Sequence, residues 1–159
     1  MLALVLSVRA SGRPVLIRER RLGRGDHEFD LLRFRCERPW SGAPRALDGP
    51  ALTRTGQLLS RTGLDYLPQL FNLLKGELSL VGPRPQRPEV ATILDQGRGL
   101  RSHMRPGITG PGQLAALRGP ANPDARRDAD DYYVRSWSLW LDARIIARTV
   151  FAAFRLSGD

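Results

Sequence analysis

The chain has one lysine, one cysteine and no long apolar run. Because Cys36 has no second thiol to pair with, an internal disulfide is excluded, and the residue is predicted to be structural in a reducing compartment. No stretch reaches the roughly 18 apolar residues of a membrane-spanning helix, and residues 1–6 are too short for a signal peptide. At 159 residues the chain is predicted to form a single domain, 1–159.

Positive charge is abundant by contrast, and nearly all of it is arginine. The net charge is +9. Arginine makes bidentate contacts with phosphate, so this charge fits a nucleotide, a lipid phosphate, an anionic membrane or nucleic acid. A nucleic-acid module would interleave aromatic residues with the basic ones, whereas the aromatics here cluster near the C-terminus. We therefore predict no nucleic-acid partner.

The hydrophobic periodicity predicts an α+β fold with a small N-terminal β-hairpin or sheet, a central helix and peripheral amphipathic helices. Arg33 and Arg35 alternate with apolar residues, so both guanidinium groups should project from one face of a strand. The predicted elements are strands at 15–20 and 29–35 around a turn at 23–26, a loop at 39–50, a short helix at 53–60, a strand at 78–81, a helix at 88–95 and a solvated segment at 121–131.

The central helix is predicted from five apolar residues at helical spacing, which should form one buried stripe: Leu64, Leu67, Leu70, Phe71 and Leu74. It should begin at residues 63–65, because Pro68 is tolerated only in the first turn. Asp65 then lies at the helix mouth, where the dipole favours an ionised carboxylate. Such an aspartate is more often only a helix cap, but it is also available as a nucleophile, and the residues alone leave both interpretations open.

Two later segments are suited to an anion. In GPRP, residues 82–85, the prolines hold the backbone around Arg84 rigid. The segment is therefore either a clamp for a phosphate or simply a rigid turn. In RSHMRPGITGPGQ, residues 101–113, glycines surround Thr109 and allow backbone N–H groups to approach a phosphate. The segment has neither a Walker lysine nor a dinucleotide fingerprint, so by pattern alone it is a glycine-rich loop.

The C-terminal segment from Trp137 onward predicts an amphipathic helix. Its arginines lie opposite an apolar stripe that consists of Leu139, Ala143, Ile146, Val150 and Phe154. Packing of the stripe into the core is the more common outcome for such a helix. The alternative is a helix that lies in a membrane interface.

The segment TGLDYLPQLFNLLKGELSLVGPRP resembles the core signature of the bacterial sugar transferases, the monotopic polyprenyl-phosphate phosphoglycosyl transferases. Four further segments fit in order, and together they cover residues 12–156: residues 12–35, PGITG with Gln113, DDYYVRSWSLWLD and IIARTVFAAF. The resemblance implies transfer of a sugar 1-phosphate from a nucleotide-sugar to polyprenyl phosphate, in exopolysaccharide or glycoconjugate biosynthesis. It also implies a Mg²⁺ cofactor and a place at the cytoplasmic face of the bacterial inner membrane. A homodimer is a further expectation.

Residue by residue, the resemblance implies that Asp65 is the nucleophile of a covalent intermediate. It implies phosphate or substrate contacts for Arg33, Arg35, Arg84, Arg105, Thr109 and Gln113. The family usually has a glutamate, a magnesium ligand, where this chain has Tyr66, and a neutral phenol is a poor ligand for that ion. Asp48, Glu77 and Glu89 are acids that could take its place.

Tyr66 therefore leaves an alternative open, a catalytically impaired homologue that acts as a binding or partner protein. A second departure concerns the N-terminus, because members of the family usually carry an apolar, proline-kinked helix before the segment that begins at residue 12. A misassigned start, a shortened chain or a lost anchor would each explain why so little precedes that segment here.

Overall fold

The computed structural model of the protein describes residues 8–9, 14–38, 52–95, 100–116 and 122–156. The predicted loop at 39–50, with Asp48, lies outside these residues.

A β-hairpin opens the described part of the chain, as predicted. Strand β1 (Leu16–Leu22) pairs antiparallel with β2 (Glu28–Phe34), in a register that runs from Leu16 opposite Phe34 to Leu22 opposite Glu28. A 3₁₀ turn at Arg24–Asp26 joins the strands. Leu31 and Phe34 are both buried, and Phe34 belongs to a core cluster that lies against β2.

Helix α1 (Arg54–Thr62) confirms the short helix predicted at 53–60. The hydroxyl of Thr53 caps it by accepting the Gly56 N–H at 2.9 Å, and Gly63 ends it in the left-handed conformation with a φ of 69°. Gly56 lies against the Cys36 carbonyl so closely that a Cβ there would meet its oxygen at 1.9 Å. This approach lets Leu59 enter the first core cluster, which also contains Val8, Phe34 and Cys36.

The central helix differs from the prediction in where it begins. Leu64–Tyr66 forms a separate 3₁₀ turn, in which the Leu67 N–H donates to the Leu64 carbonyl at 3.2 Å, and helix α2 (Gln69–Leu74) follows Pro68. The prediction that the helix begins at residues 63–65 is therefore wrong. Pro68 has no N–H to offer the Leu64 carbonyl, so the first turn closes through the tighter 3₁₀ bond instead.

The predicted buried stripe of this helix is also wrong beyond Leu67. Leu64 and Leu67 pack against the first core cluster, but three residues of α2 are turned outward, with exposed fractions of 46% for Leu70, 51% for Phe71 and 83% for Leu74. We call these three residues the leucine face.

A polar side chain explains the orientation of α2. Asn72 is fully buried, and its amide nitrogen donates to the Asp30 carbonyl at 2.8 Å and to the Glu77 carboxylate at 2.6 Å. Its amide oxygen accepts the Leu32 N–H at 3.1 Å. Because a buried amide needs these partners, the Asn72 side of the helix turns toward β2 and the leucine face turns away.

The second half of the chain is built on a two-stranded parallel sheet. Strand β3 (Ser79–Val81) pairs with β4 (Gly107–Thr109), and the helices around them are α3 (Pro88–Asp95), α4 (Pro111–Ala116), α5 (Pro123–Arg135) and α6 (Leu139–Leu156), with a 3₁₀ turn at Leu100–His103. The predicted strand at 78–81 and helix at 88–95 are confirmed. Residues 101–113, predicted as a loop, instead contain β4 and the start of α4.

Helix α5 replaces the predicted solvated segment at 121–131. Asn122 caps it by accepting the Asp124 N–H, and its inner side carries Asp130 and Tyr133, which are 2% and 1% exposed. The segment looked solvated because six of its residues are charged, yet one of its carboxylates is among the most buried groups of the described residues. Tyr133 belongs to the second core cluster with Val81 and Ile145.

Helix α6 packs through a different face from the predicted stripe. Ile145 is buried with Leu141 beside it, whereas Leu139, Ile146 and Val150 are 77%, 39% and 50% exposed. The hydroxyl of Thr149 lies 2.7 Å from that of Thr109, which orients the helix on β4. The side chain of Phe154 lies outside the described residues. Within the described ranges, every helix falls short of the length and apolarity that crossing a bilayer requires.

Candidate active site

Asp65 occupies the 3₁₀ turn between α1 and α2 and is only 5% exposed. It lies between Leu64 and Leu67, which pack on the first core cluster, and its Oδ1 has no hydrogen-bond partner. Burial raises the pKa of Asp65, although its own backbone N–H and the positive charge of Arg33 oppose this. The predicted stabilisation of the ionised carboxylate by a helix mouth is thus outweighed by desolvation.

Tyr66 follows Asp65 and is half exposed at 52%. Burial of part of the ring and the neighbouring Asp65 raise the pKa of the phenol, while the charges of Arg33 and Arg84 act in the opposite direction. The positive charges of both arginines therefore act on the residue that follows Asp65. The 3₁₀ turn itself packs against β2, the strand that carries Arg33.

Arg33 is fixed by two carboxylates. Its Nε donates to Glu19 at 2.6 Å and its Nη2 to Glu37 at 3.0 Å, and its side chain is one-fifth exposed. Burial raises the pKa of Glu19, but hydrogen bonds from Arg33 and Arg21 outweigh it, so that the net pKa is lowered. An ionised Glu19 holds the guanidinium in a defined orientation.

Arg35 reaches the same neighbour from a more buried position. Its Nη1 donates to the Glu37 carbonyl and its Nε to the Pro14 carbonyl at 2.8 Å. Both arginines thus contact Glu37, Arg33 through its carboxylate and Arg35 through its backbone carbonyl. Arg35 is only 4% exposed, and because backbone carbonyls accept its hydrogen bonds, it fixes the chain around β2. Its predicted contact with phosphate stays a prediction.

The GPRP turn presents Arg84 with an exposed side chain and a restrained backbone. The Arg84 N–H donates at 3.1 Å to Oδ2 of Asp130, whose Oδ1 accepts the Gly112 N–H at 3.0 Å. Burial raises the pKa of Asp130 and the two backbone hydrogen bonds oppose this. The sequence interpretation missed Asp130, because only the family-like block DDYYVRSWSLWLD distinguished it from a solvated charge.

The remaining predicted site residues contact other elements. Arg105 extends beside Gly76, at the end of α2. The hydroxyl of Thr109 pairs with Thr149 of α6, and the Gln113 amide nitrogen donates to the Gly107 carbonyl at 3.4 Å. Oε1 of Gln113 is buried without a hydrogen-bond partner. These contacts place Thr109 and Gln113 in the packing between β4, α4 and α6.

A cavity of about 40 Å³ lies between the end of the hairpin and the GPRP turn. It is bordered by Leu22, Asp26, Arg84, Gln86 and Arg101. A water molecule needs about 10–15 Å³ of such volume, so the cavity holds a few waters and is too small for a nucleotide.

The donor set around Asp65 does not fit a metal ion held by the protein alone. Magnesium takes six oxygen ligands and is usually bound by one or two carboxylates together with substrate phosphates. Asp65 has a buried unpartnered oxygen, but Glu19 is paired with Arg21 and Arg33, and Glu77 is bonded to Asn72. Among the residues that the structure describes, no three acidic, histidine or cysteine side chains gather as a metal site would require.

Comparison with known proteins gives a consistent result. A UDP-glucose:undecaprenyl-phosphate glucose-1-phosphate transferase of Xanthomonas campestris is 38% identical over 173 residues, which cover 100% of this chain and 35% of that protein. A transferase of the same description from Klebsiella pneumoniae is 34% identical, over 97% of this chain and 36% of its own length. A UDP-N-acetylgalactosamine-undecaprenyl-phosphate N-acetylgalactosaminephosphotransferase of Aeromonas hydrophila is 36% identical, over 93% and 37%.

This chain thus spans little more than a third of the length of each of these three relatives. The sequence model of the bacterial sugar transferases matches residues 1–156, which is nearly the whole chain. The hairpin, the Asp65 turn and the GPRP turn all lie within the matched range. The chain belongs to the bacterial sugar transferase family.

Proposed function

We propose that the protein transfers a sugar 1-phosphate from a UDP-sugar to polyprenyl phosphate, with Asp65 as the nucleophile. The relatives' descriptions support the donor and acceptor classes. The observation that carries the assignment to Asp65 is a 5% exposed carboxylate with one unpartnered oxygen, on which the positive charge of Arg33 acts. No hydrogen-bond donor competes for the lone pairs of Oδ1, which is buried in this conformation.

The proposed reaction has two displacements at one phosphorus atom. The Asp65 oxygen attacks the phosphorus next to the sugar, a new O–P bond forms, and the bond to the nucleotide oxygen breaks with release of UMP. A phosphate oxygen of the polyprenyl phosphate then attacks the same phosphorus and displaces Asp65 as a carboxylate. The products are UMP and a polyprenyl diphosphate sugar, and the enzyme returns to its starting state.

Two arginines are proposed to hold the diphosphate during these steps. Arg33 is oriented by Glu19 and Glu37, so little conformational freedom is lost when it binds an anion. Arg84 extends from a turn whose two prolines restrict the backbone. Their charge stabilises the oxygens of the transferred phosphoryl group as negative charge redistributes toward the leaving UMP.

Magnesium is proposed only as an ion that the diphosphate of the donor carries, since the described residues offer no protein cage. Removal of divalent ions with EDTA should lower UMP release, and added Mg²⁺ should restore it. Full activity in EDTA would refute this part of the proposal.

A membrane surface at the cytoplasmic face is proposed as the place of reaction, because the acceptor is a lipid. The leucine face of α2 lies next in sequence to the Asp65 turn, and Leu80 is 56% exposed on β3. Helix α6 adds Trp140 and Phe151, which are 73% and 63% exposed. Apolar side chains of this kind, next to arginines, are typical of surfaces that enter the lipid headgroup region.

Replacement of Asp65 by Asn tests the chemistry. UMP release from UDP-glucose and polyprenyl phosphate should fall by at least three orders of magnitude, and the mass of a sugar-phosphate adduct should disappear from the protein. The matched control is Asp128→Asn, which removes the same charge from an exposed position on α5 and should leave the rate unchanged. Undiminished UMP release by Asp65→Asn would remove the proposed mechanism.

Tyr66 supports a second candidate, a homologue that binds the same ligands without turning them over. The phenol occupies the position at which the family usually has a glutamate, and its pKa is raised, so it carries no negative charge at neutral pH. If this candidate is correct, the wild-type protein binds UDP-glucose without UMP release and Tyr66→Glu gains turnover. Release of UMP by the unmodified protein would exclude it.

A further inference from the structure

Asp130 makes contacts that the reaction described above does not use. It is 2% exposed, and its two oxygens accept backbone N–H groups from two segments that are far apart in the sequence. Oδ2 accepts from Arg84, 46 residues away, and Oδ1 from Gly112, 18 residues away. A Cβ at position 112 would lie 2.6 Å from Oδ1, so the glycine is what allows this close approach.

We propose that Asp130 is a positioning residue that orients Arg84 toward the phosphates of the donor. The proposal rests on the proposed function. The positioning role goes beyond that function because it assigns the orientation of Arg84, a proposed substrate-binding residue, to a carboxylate on α5. No other group of this helix takes part in the proposed chemistry.

The backbone of the GPRP turn explains why one carboxylate can have this effect. Pro83 and Pro85 have no N–H, so the Arg84 N–H is the one backbone donor between Gly82 and Gln86. The Gly82 N–H donates to the Thr109 carbonyl at 3.0 Å, which fixes the start of the turn on β4. Asp130 fixes its centre. With both peptide planes held, the Cα–Cβ direction of Arg84 is set, so its exposed side chain leaves the turn in a defined direction.

Helix α5 holds the strand before the turn as well. Tyr133, on the same inner side of the helix as Asp130, donates its hydroxyl to the Val81 carbonyl at 3.3 Å and to Asp142 at 2.7 Å. Helix α5 is therefore hydrogen-bonded to Val81, at the end of β3, and to Arg84, in the GPRP turn. Two hydrogen bonds from one helix, made to residues three apart, hold this stretch of backbone and with it the Cα of Arg84.

A double-mutant cycle on kcat/KM for UMP release from UDP-glucose tests the proposal. Arg84→Ala should lower kcat/KM by about tenfold or more, the value of one charge-assisted hydrogen bond. Asp130→Asn should lower it several-fold, because one backbone N–H then faces an amide N–H. In the double variant Asp130→Asn should cause no further loss, since the side chain that it orients is absent. Asp128→Asn, on the exposed side of α5, should have no effect in either background.

Independent effects that multiply in the double variant would overturn the proposal, because they would mean that Asp130 only stabilises the fold. The wild-type protein supplies a second measurement in case Asp130→Asn does not fold. UDP-glucose should slow hydrogen exchange of the Arg84 and Gly112 amides together, and unchanged exchange at both would equally overturn it. Failure of the proposed function can be distinguished from failure of the positioning role, because the wild-type protein would then release no UMP at all. That result would refute the positioning role as well.

Discussion

Asp65 and Asp130 form a matched pair of buried carboxylates from which opposite stability effects are expected. Both are at most 5% exposed, and burial raises the pKa of both. They differ in their partners, since Oδ1 of Asp65 has none whereas each oxygen of Asp130 accepts a backbone N–H. Replacement by Asn should therefore stabilise the protein at position 65 and destabilise it at position 130.

The magnitude follows from the cost of a buried unsatisfied group, about 1–3 kcal/mol and more when it is charged. Removal of the Asp65 charge should recover about 1–2 kcal/mol at neutral pH, since the amide that replaces it stays partly unsatisfied. Asp130→Asn turns an N–H toward a backbone N–H and should cost about 1–3 kcal/mol. For a chain of this size each kcal/mol moves Tm by about 2–4 °C.

The pH dependence gives the sign of the Asp65 effect. A carboxyl whose pKa is raised in the folded state favours folding at low pH, where it is protonated, and this contribution is lost as pH rises through the folded pKa. The Tm advantage of Asp65→Asn should therefore be largest at neutral pH and shrink as pH falls through that pKa. Thermal melts in buffers from pH 4.5 to pH 8 measure it. A lower Tm for Asp65→Asn at neutral pH, or a difference that does not change with pH, would refute this account of the site.

Four further predictions follow from the contacts of single residues. UMP release should rise with pH through the raised pKa of Asp65, because only the ionised form is nucleophilic; a flat pH–rate profile would contradict this. Asn72→Ala should lower the unfolding free energy by about 2–4 kcal/mol because it strands the Leu32 N–H and the Glu77 carboxylate, whereas Leu74→Ala on the same helix should change it by less than about 0.5 kcal/mol. Tyr133→Phe should cost about 1–2 kcal/mol in urea unfolding and Tyr132→Phe, at a 66% exposed neighbour, close to nothing. Leu74→Glu should reduce flotation with vesicles of anionic phospholipid several-fold without a change in Tm, and undiminished flotation would remove the leucine face from the proposed membrane surface.

Local patterns predicted the elements of this fold well where the chain follows local rules. Two short strand patterns around the turn at 23–26 predicted β1 and β2, and a short helix was predicted at 53–60, where α1 lies. Pro88 and Glu89 marked the start of α3. These features depend on residues within a few positions of one another, so the sequence contains the information directly.

The orientation of the helices could not be predicted in the same way. Apolar spacing in α2 and α6 indicates which residues share a face, but which face is buried was decided by bonds to distant segments. Asn72 reaches Asp30 across 42 positions, and Thr149 reaches Thr109 across 40. Asp130 was missed for the same reason, since no residue near it in the sequence indicates that two distant backbone N–H groups donate to its carboxylate. The resemblance to a known family, by contrast, predicted the family correctly from five ordered motifs, and the site residues that it implied stay predictions.

The 46 positions between Arg84 and Asp130 also bear on how the protein is made. The hairpin, α1 and the Asp65 turn use contacts among residues that leave the ribosome before α5, and segments that are made earlier generally fold first during synthesis. The GPRP turn, in contrast, lacks its central hydrogen bond until residue 130 has been synthesised. A nascent chain that ended before α5 would already contain a folded, buried Asp65, yet its Arg84 would remain unaligned, so competence for the proposed reaction would be acquired only once α5 has emerged.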